Sequence, residues 1–256
     1  MSSDKFAIAV AVAMFAAGLL GLVLQSRLPE HHTSGGSRDM IAAVAGLLTL
    51  LCALVTGLLI WTAYGVYSGQ NAQVQAFAAK MMQLDLALSD YGPEAIPARA
   101  QIRDALGKTI DQVWHVNQSD DNFAANNFAS ALQNIRARDK ELAKLHPTTD
   151  GQKQALAAAT AMSDAIGQTR MEMSFALSAP VAYPVLLVVV GWVVCLFCGF
   201  GLTARATVTS VITLAVGSIA VASAVLLILD LSNPYAGVVR ASHEPLEQAL
   251  AVMGKE

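Results

Sequence analysis

Residues 40–90 read MIAAVAGLLTLLCALVTGLLIWTAYGVYSGQNAQVQAFAAKMMQLDLALSD. The first part, as far as Tyr67, is apolar all round and holds no Asp, Glu, Lys, Arg or His. The second part turns amphipathic: Val74, Phe77, Ala78, Met81, Leu84 and Leu88 recur at helical spacing. Only Ser68-Gly69 separates the two, and neither residue stops a helix. A helix over this stretch would be about 75 Å long, against roughly 30 Å for the hydrocarbon of a bilayer. The stretch therefore predicts a membrane helix that leaves lipid and continues into water as one strut of a helical bundle.

Three more apolar runs are long enough to cross a bilayer: residues 6–24, 181–204 and 206–229. None of the four runs contains an ionisable Asp, Glu, Lys, Arg or His. Lipid offers no partner to backbone N–H and C=O groups, so each run must be a helix. Composition agrees: 55% of residues are hydrophobic and 14% charged, where soluble domains average about 45–50% and about 25%. The first run reads as a retained helix rather than a signal peptide. Its apolar core is longer than the usual h-region, and no small-x-small site precedes Arg27 and Pro29. Loop charges leave orientation open, with Lys5 and Arg240 on one side and Arg27, Arg38 and Arg205 on the other.

Between the second and third runs lies a polar insert, residues 68–179, patterned as four helices. Tyr91-Gly92-Pro93 ends the first. Ile102, Leu106, Ile110, Val113 and Trp114 mark the second, started by Pro97. A capping turn over residues 117–122 precedes the third, marked by Phe128, Leu132, Ile135, Leu142 and Leu145. Pro147 and Asp150-Gly151 break the chain before the fourth, marked by Leu156, Ala159, Met162, Ile166, Thr169 and Met173. The expected fold is an all-α integral membrane protein: four transmembrane helices, a four-helix stalk between spans two and three, and a C-terminal amphipathic helix. The expected divisions are 1–67, 68–179, 180–230 and 231–256.

The tail supplies one candidate device. Asp230 closes the last apolar run, at a position that fits headgroup level. Asn233-Pro234 stops the helix, Gly237 allows a tight turn, and Arg240 follows. The tail is expected to fold back and lock through an Asp230–Arg240 pair. Ser242 is the expected N-cap of a short helix, 245–253, with Leu246, Ala249, Leu250 and Met253 on its apolar face.

The spans supply a second set. Trp61, Tyr64 and Tyr67 fall near one helix face, where they form an interfacial belt or the neck of a pore. Hydroxyls punctuate span four, with Thr213 and Ser218 at its middle. They bond helix to helix or line a path suited to weakly hydrated anions. Gly65 and Gly69 form a G-x-x-x-G at the edge of span two. A third candidate is the loop site His31, His32, Arg38 and Asp39, polar and open to protonation near neutrality. Adjacent histidines point apart in extended chain, so a shared metal is not expected.

Several classes of function fall away. The net charge of −3 comes with no basic stripe, so no nucleic-acid partner is expected. Cys52, Cys195 and Cys198 all lie in apolar runs, where thiols are inert. No phosphate-cradling glycine loop, zinc spacing or nucleophile elbow occurs, so neither an enzyme nor a cofactor is expected. Proton pumps need acids or histidines inside the membrane, and these spans have none.

Four segments, in order, carry a resemblance: LPEHHTSGGSRDMI after span one, LLTLLCALVTGLLIWTAYGVY in span two, LDLALSDYGPEAIPARAQIR in the insert, and LDLSNPYAGVVRASHEPLEQAL in the tail. Together they resemble the bacterial bestrophin-like domain family, over most of the chain. The sequence departs from that pattern at Tyr64, where a basic residue usually closes span two. The resemblance implies kinship with bestrophins, pentameric anion channels with a helical cytosolic part. It thus implies a homo-oligomer in the bacterial inner membrane, a cytosolic stalk, and an inorganic anion as the partner. The alternative is a membrane-anchored sensor or scaffold whose stalk binds a ligand or partner without transport.

Overall fold

The computed structural model describes residues 3–27, 36–115, 123–177, 183–232 and 239–253. Among these, every regular element is a helix. They are α1 (Ser3–Arg27), α2 (Gly36–Tyr91), a 3-10 turn (Pro93–Ala95), α3 (Ile96–Ile110), a π turn (Asp111–His115), α4 (Phe123–Leu142), α5 (Asp150–Leu177), α6 (Tyr183–Thr203), α7 (Val208–Leu231) and α8 (Glu244–Val252). Four of them are long and apolar enough to cross a membrane: α1, α2, α6 and α7. The expected run over 40–90 is one uninterrupted helix of 56 residues. The expected turn over 117–122 lies outside the described residues.

The chain divides into two compact units, Met1–Val66 with Pro180–Ser232, and Tyr67–Ala179 with Asn233–Glu256. In the first, α1 packs along α6 and α7. Its core holds Val10, Met14 and Leu22 of α1, Leu186, Val189, Val193 and Phe197 of α6, and Leu214, Val225 and Leu229 of α7. The α1–α6 contact is backbone on backbone. A Cβ on Gly21 would collide with the Cys198 carbonyl oxygen, and one on Gly201 with the Gly18 carbonyl oxygen. Lipid tails are as apolar as leucine, so membrane helices associate by close packing, and small residues permit it. The expected G-x-x-x-G has no such role within this chain: a Cβ on Gly65 or Gly69 meets open space.

The hydroxyls of α7 also differ from expectation. Thr213 donates to the Thr209 carbonyl (2.9 Å), Ser218 to Ala215 (2.8 Å) and Ser223 to Ala220 (2.7 Å). Each satisfies itself on its own helix rather than on a neighbour, because a carbonyl three or four residues back is always within reach. Thr207 instead caps α7, accepting from the Ser210 N–H at 3.3 Å. Burial does not protect all three thiols either: Cys52 is buried, but Cys195 is exposed on α6.

The second unit is built around the second part of α2. Val74, Phe77, Met81, Leu84 and Leu88 of α2 meet Ile102, Leu106 and Ile110 of α3, Leu142 of α4, Ala159, Ile166 and Met173 of α5, and Leu246 and Met253 of α8. At the break after Tyr91, Gly92 takes a φ of 113°, a conformation other residues rarely adopt. Pro93 and Pro97 then sit in the first turns of the 3-10 turn and of α3, where a missing N–H costs nothing. At α5, Thr149 accepts from the Gln152 N–H (3.2 Å), while the Gln152 side chain accepts from the Thr148 N–H (2.9 Å). This reciprocal cap satisfies donors the helix leaves bare. At α8 the N-cap is His243 rather than Ser242; the Ser242 hydroxyl accepts from the Glu244 N–H at 3.2 Å.

The glycine crossing gives a direct prediction. Gly21→Ala and Gly201→Ala should each cost at least about 1–3 kcal/mol, since neither backbone can yield without parting the helices. Gly65→Ala should be neutral or slightly stabilising, since glycine is a poor helix residue by about 1 kcal/mol. Thermal unfolding in detergent measures all three.

Candidate functional site

The candidate residues of the spans fall in different settings. Trp61 is 73% exposed and Tyr64 52% exposed, while Tyr67 is half-buried. Thr213 is exposed and Ser218 buried; five residues apart, they point roughly 140° from each other around the helix. They do not share a face. Of the loop site, His31 and His32 lie outside the described residues, as does the side chain of Arg38. Asp39 is exposed in the first turn of α2, where a carboxylate complements the helix dipole.

Asp230 stands at the end of α7. The last helix runs on to Leu231, and Asp230 is buried in its final turn beside Ile228, Leu229 and Leu231. Asn233, Pro234 and Gly237 lie outside the described residues. Arg240 is exposed.

One cavity belongs to the second unit. It is a groove of about 830 Å³ lined by α3, by Asp85 of α2 and by Leu250 and Met253 at the end of α8. Three cations (Arg99, Arg103, Lys108) and three carboxylates (Asp85, Asp104, Asp111) face it with Ile96 and Leu250. Arg99 is held rigidly: Nε and Nη2 donate to the two Asp85 carboxylate oxygens, both at 2.8 Å, and Nη1 to Ser89 Oγ at 3.3 Å. Such a two-pronged pair is strong and directional, and both side chains are largely buried. Lys108 and Asp104 pair at 2.6 Å in full solvent, where a pair contributes little. With signs balanced and an apolar floor, the groove suits a dipolar or amphipathic ligand better than a simple ion.

Sequence reading missed this groove. Its signal was present: Arg99, Arg103, Gly107 and Asp111 recur every four residues, in a row beside Ile102, Leu106 and Ile110. That pattern is also what any solvated helix face shows.

α8 is pinned beside the groove. Trp114, in the π turn, donates its indole N–H to the Ala241 carbonyl at 2.9 Å. Its ring stands 6.1 Å from that of His243, and His243 Nε2 lies 3.2 Å from the Glu247 carboxylate. Leu246, Ala249 and Met253 are fully enclosed. The π turn places Trp114 there, one of the settings in which this rare geometry recurs.

Deeper in the same unit, two arginines are buried among apolar side chains. Arg138 of α4 donates from Nε to Ser163 Oγ (2.8 Å) and from Nη2 to the Ser163 carbonyl (3.1 Å). Arg170 of α5 donates to Asn127 Oδ1 at 2.6 Å. Desolvation pushes Arg138 below the usual arginine value, while Asp139 and Asp164 act in the opposite sense. Lys80 of α2 donates to Thr169 Oγ1 at 2.7 Å. Among the described residues, no group of three or more His, Cys, Asp or Glu is arranged to hold a metal ion.

Apolar spanning helices joined to a helical extramembrane unit define a class, the multi-span α-helical membrane proteins. Comparison narrows it. The profile of the Bestrophin-like domain matches residues 12–246, and the chain belongs to that family. Its fold is similar to two crystal structures of a bacterial Bestrophin homolog from Klebsiella pneumoniae, each carrying one mutation. The first has a TM-score of 0.70 at 11% identity, over 96% of this chain and 98% of that one. The second has a TM-score of 0.68 at 11% identity, over 99% and 96%. No curated protein matches the sequence.

Trp114 provides the test of the α8 anchor. Trp114→Phe keeps most of the ring's bulk and strands the Ala241 carbonyl. It should cost about 1 kcal/mol and speed proteolytic cleavage near Arg240, with the spans' resistance unchanged.

Proposed function

We propose that this chain is one subunit of an oligomeric anion channel in the bacterial inner membrane, with the stalk in the cytosol. The supporting observation is the packing of α2. In its most apolar window 11% of residues are buried, against 33% in α1 and α6 and 28% in α7. Leu47, Leu50, Leu54, Leu58 and Trp61 all stand more than 60% exposed along it. Three spans form most of the packed core of the unit; α2 contributes Cys52 to it, with Ala45, Leu48, Val55 and Leu59 partly buried against it. A helix with so little packing of its own is the one that neighbouring copies can share around an axis.

Chemistry favours anions as cargo. The apolar stretches of the spans hold no acid midway to attract a cation or relay a proton; Asp4, Asp39 and Asp230 stand at helix ends. A path lined by apolar residues and the Trp61 and Tyr64 rings would gate by dewetting and pass weakly hydrated ions most readily. Membership in the Bestrophin-like family and the fold shared with bacterial bestrophin homologues support the same reading.

The groove of the second unit favours a second reading, a membrane-anchored sensor whose stalk binds a ligand without transport. Currents across planar bilayers separate the two. Purified protein under a chloride gradient should give a reversal potential that follows chloride, and Trp61→Ala should change conductance severalfold. Intact, reconstituted oligomers that pass no current under any anion gradient would leave the sensor reading.

A further inference from the structure

In the groove beside α3 and α8, most charges are already matched and one is not. Asp85 is taken up by Arg99 and Asp104 by Lys108. Asp111, the remaining carboxylate of the wall, also has a partner. Arg103 is exposed, faces the groove, and makes no hydrogen bond or ion pair among the described residues. Apolar side chains complete the wall: Ile96 and Ala100 of α3, with Leu250 and Met253 at the end of α8. Ile96 is 60% exposed, whereas Ile102 and Ile110 of the same helix are buried. The volume, about 830 Å³, lies within the range of small-molecule pockets.

A guanidinium so placed can grip a carboxylate or a phosphate by two parallel hydrogen bonds. The carboxylates of the same wall disfavour a second negative charge on the ligand, because like charges at short range repel. One carboxylate therefore suits the groove better than the dianion of a phosphate monoester. A ligand ammonium would have to break an existing pair to find a partner. The apolar side chains can cover one short chain or ring, not the two long tails of a membrane lipid. We propose that the groove binds a small monocarboxylate with an apolar body, its carboxylate on Arg103 and its body against Ile96 of α3 and Leu250 of α8. Bound there, the ligand would join α3 to α8 and add to the anchor that Trp114 provides. The proposal gives a ligand class to the groove on which the sensor reading rests, and it stands whether or not the spans conduct.

The test is calorimetric titration of the full-length protein in nanodiscs of zwitterionic lipid, with empty nanodiscs as the blank. The probe is octanoate, compared with octanol, octylamine and octyl phosphate, which keep the chain and change the head. Octanoate should bind saturably, raise the melting temperature by mass action, and slow tryptic cleavage at Arg240 by holding α8 in place. Octanol and octylamine should do none of these, and octyl phosphate should bind more weakly than octanoate. Arg103→Gln should weaken octanoate about tenfold or more, the loss of a charge-assisted pair. Ala100→Trp fills the groove from α3 while keeping Arg103, and should abolish binding. Both positions are exposed, so neither change should impair folding. No saturable octanoate binding, octanol acting as well as octanoate, or binding undiminished in both variants overturns the proposal. Binding is read directly on the groove, so its failure is distinct from a failure of the bilayer currents.

Discussion

Lipid satisfies no backbone hydrogen bond, and that constraint governs this molecule. It makes each apolar run a helix and confines charges to the ends of the runs. Asp4 and Arg27 stand at the two ends of α1, and Asp230 is held back to the last turn of α7. It also limits what one chain can do. Four apolar runs with no ionisable side chain inside them offer no charged lining of their own, so a water-filled path calls for several chains. The thinly packed α2 is the helix through which that requirement would be met.

The two units solve packing in different ways. The first unit, if set in lipid, has no hydrophobic drive between helices and relies on proximity, which Gly21 and Gly201 provide by bringing α1 and α6 into backbone contact. The second unit buries a continuous apolar stripe from α2, α3, α5 and α8. Within that stripe it also buries Arg138 and Arg170, which no stability argument requires.

Much of this architecture is legible from local pattern. The run over 40–90 shows its continuity because no proline interrupts it, and Tyr91-Gly92-Pro93 shows its end because Pro93 disfavours a helical residue before it and Gly92 lets the chain turn. The family is legible because four short segments keep their order. Features that depend on distant residues meeting are not legible. Gly21 and Gly201 are ordinary glycines until their helices cross, whereas Gly65-x-x-x-Gly69 has the spacing and no partner within the chain. Arg138 sits in a charged stretch, Arg136 to Glu141, that looks solvated along its whole length. The groove charges on α3 look the same. Hydroxyls in α7 suggested bonds between helices, but a local carbonyl is always nearer.

The mass of the detergent-solubilised particle tests the central claim most directly. One chain is 26.8 kDa. A shared path predicts a single species at a small whole multiple of that mass that persists on dilution. A particle that holds one chain in every mild detergent would contradict the account, since one chain alone encloses no path.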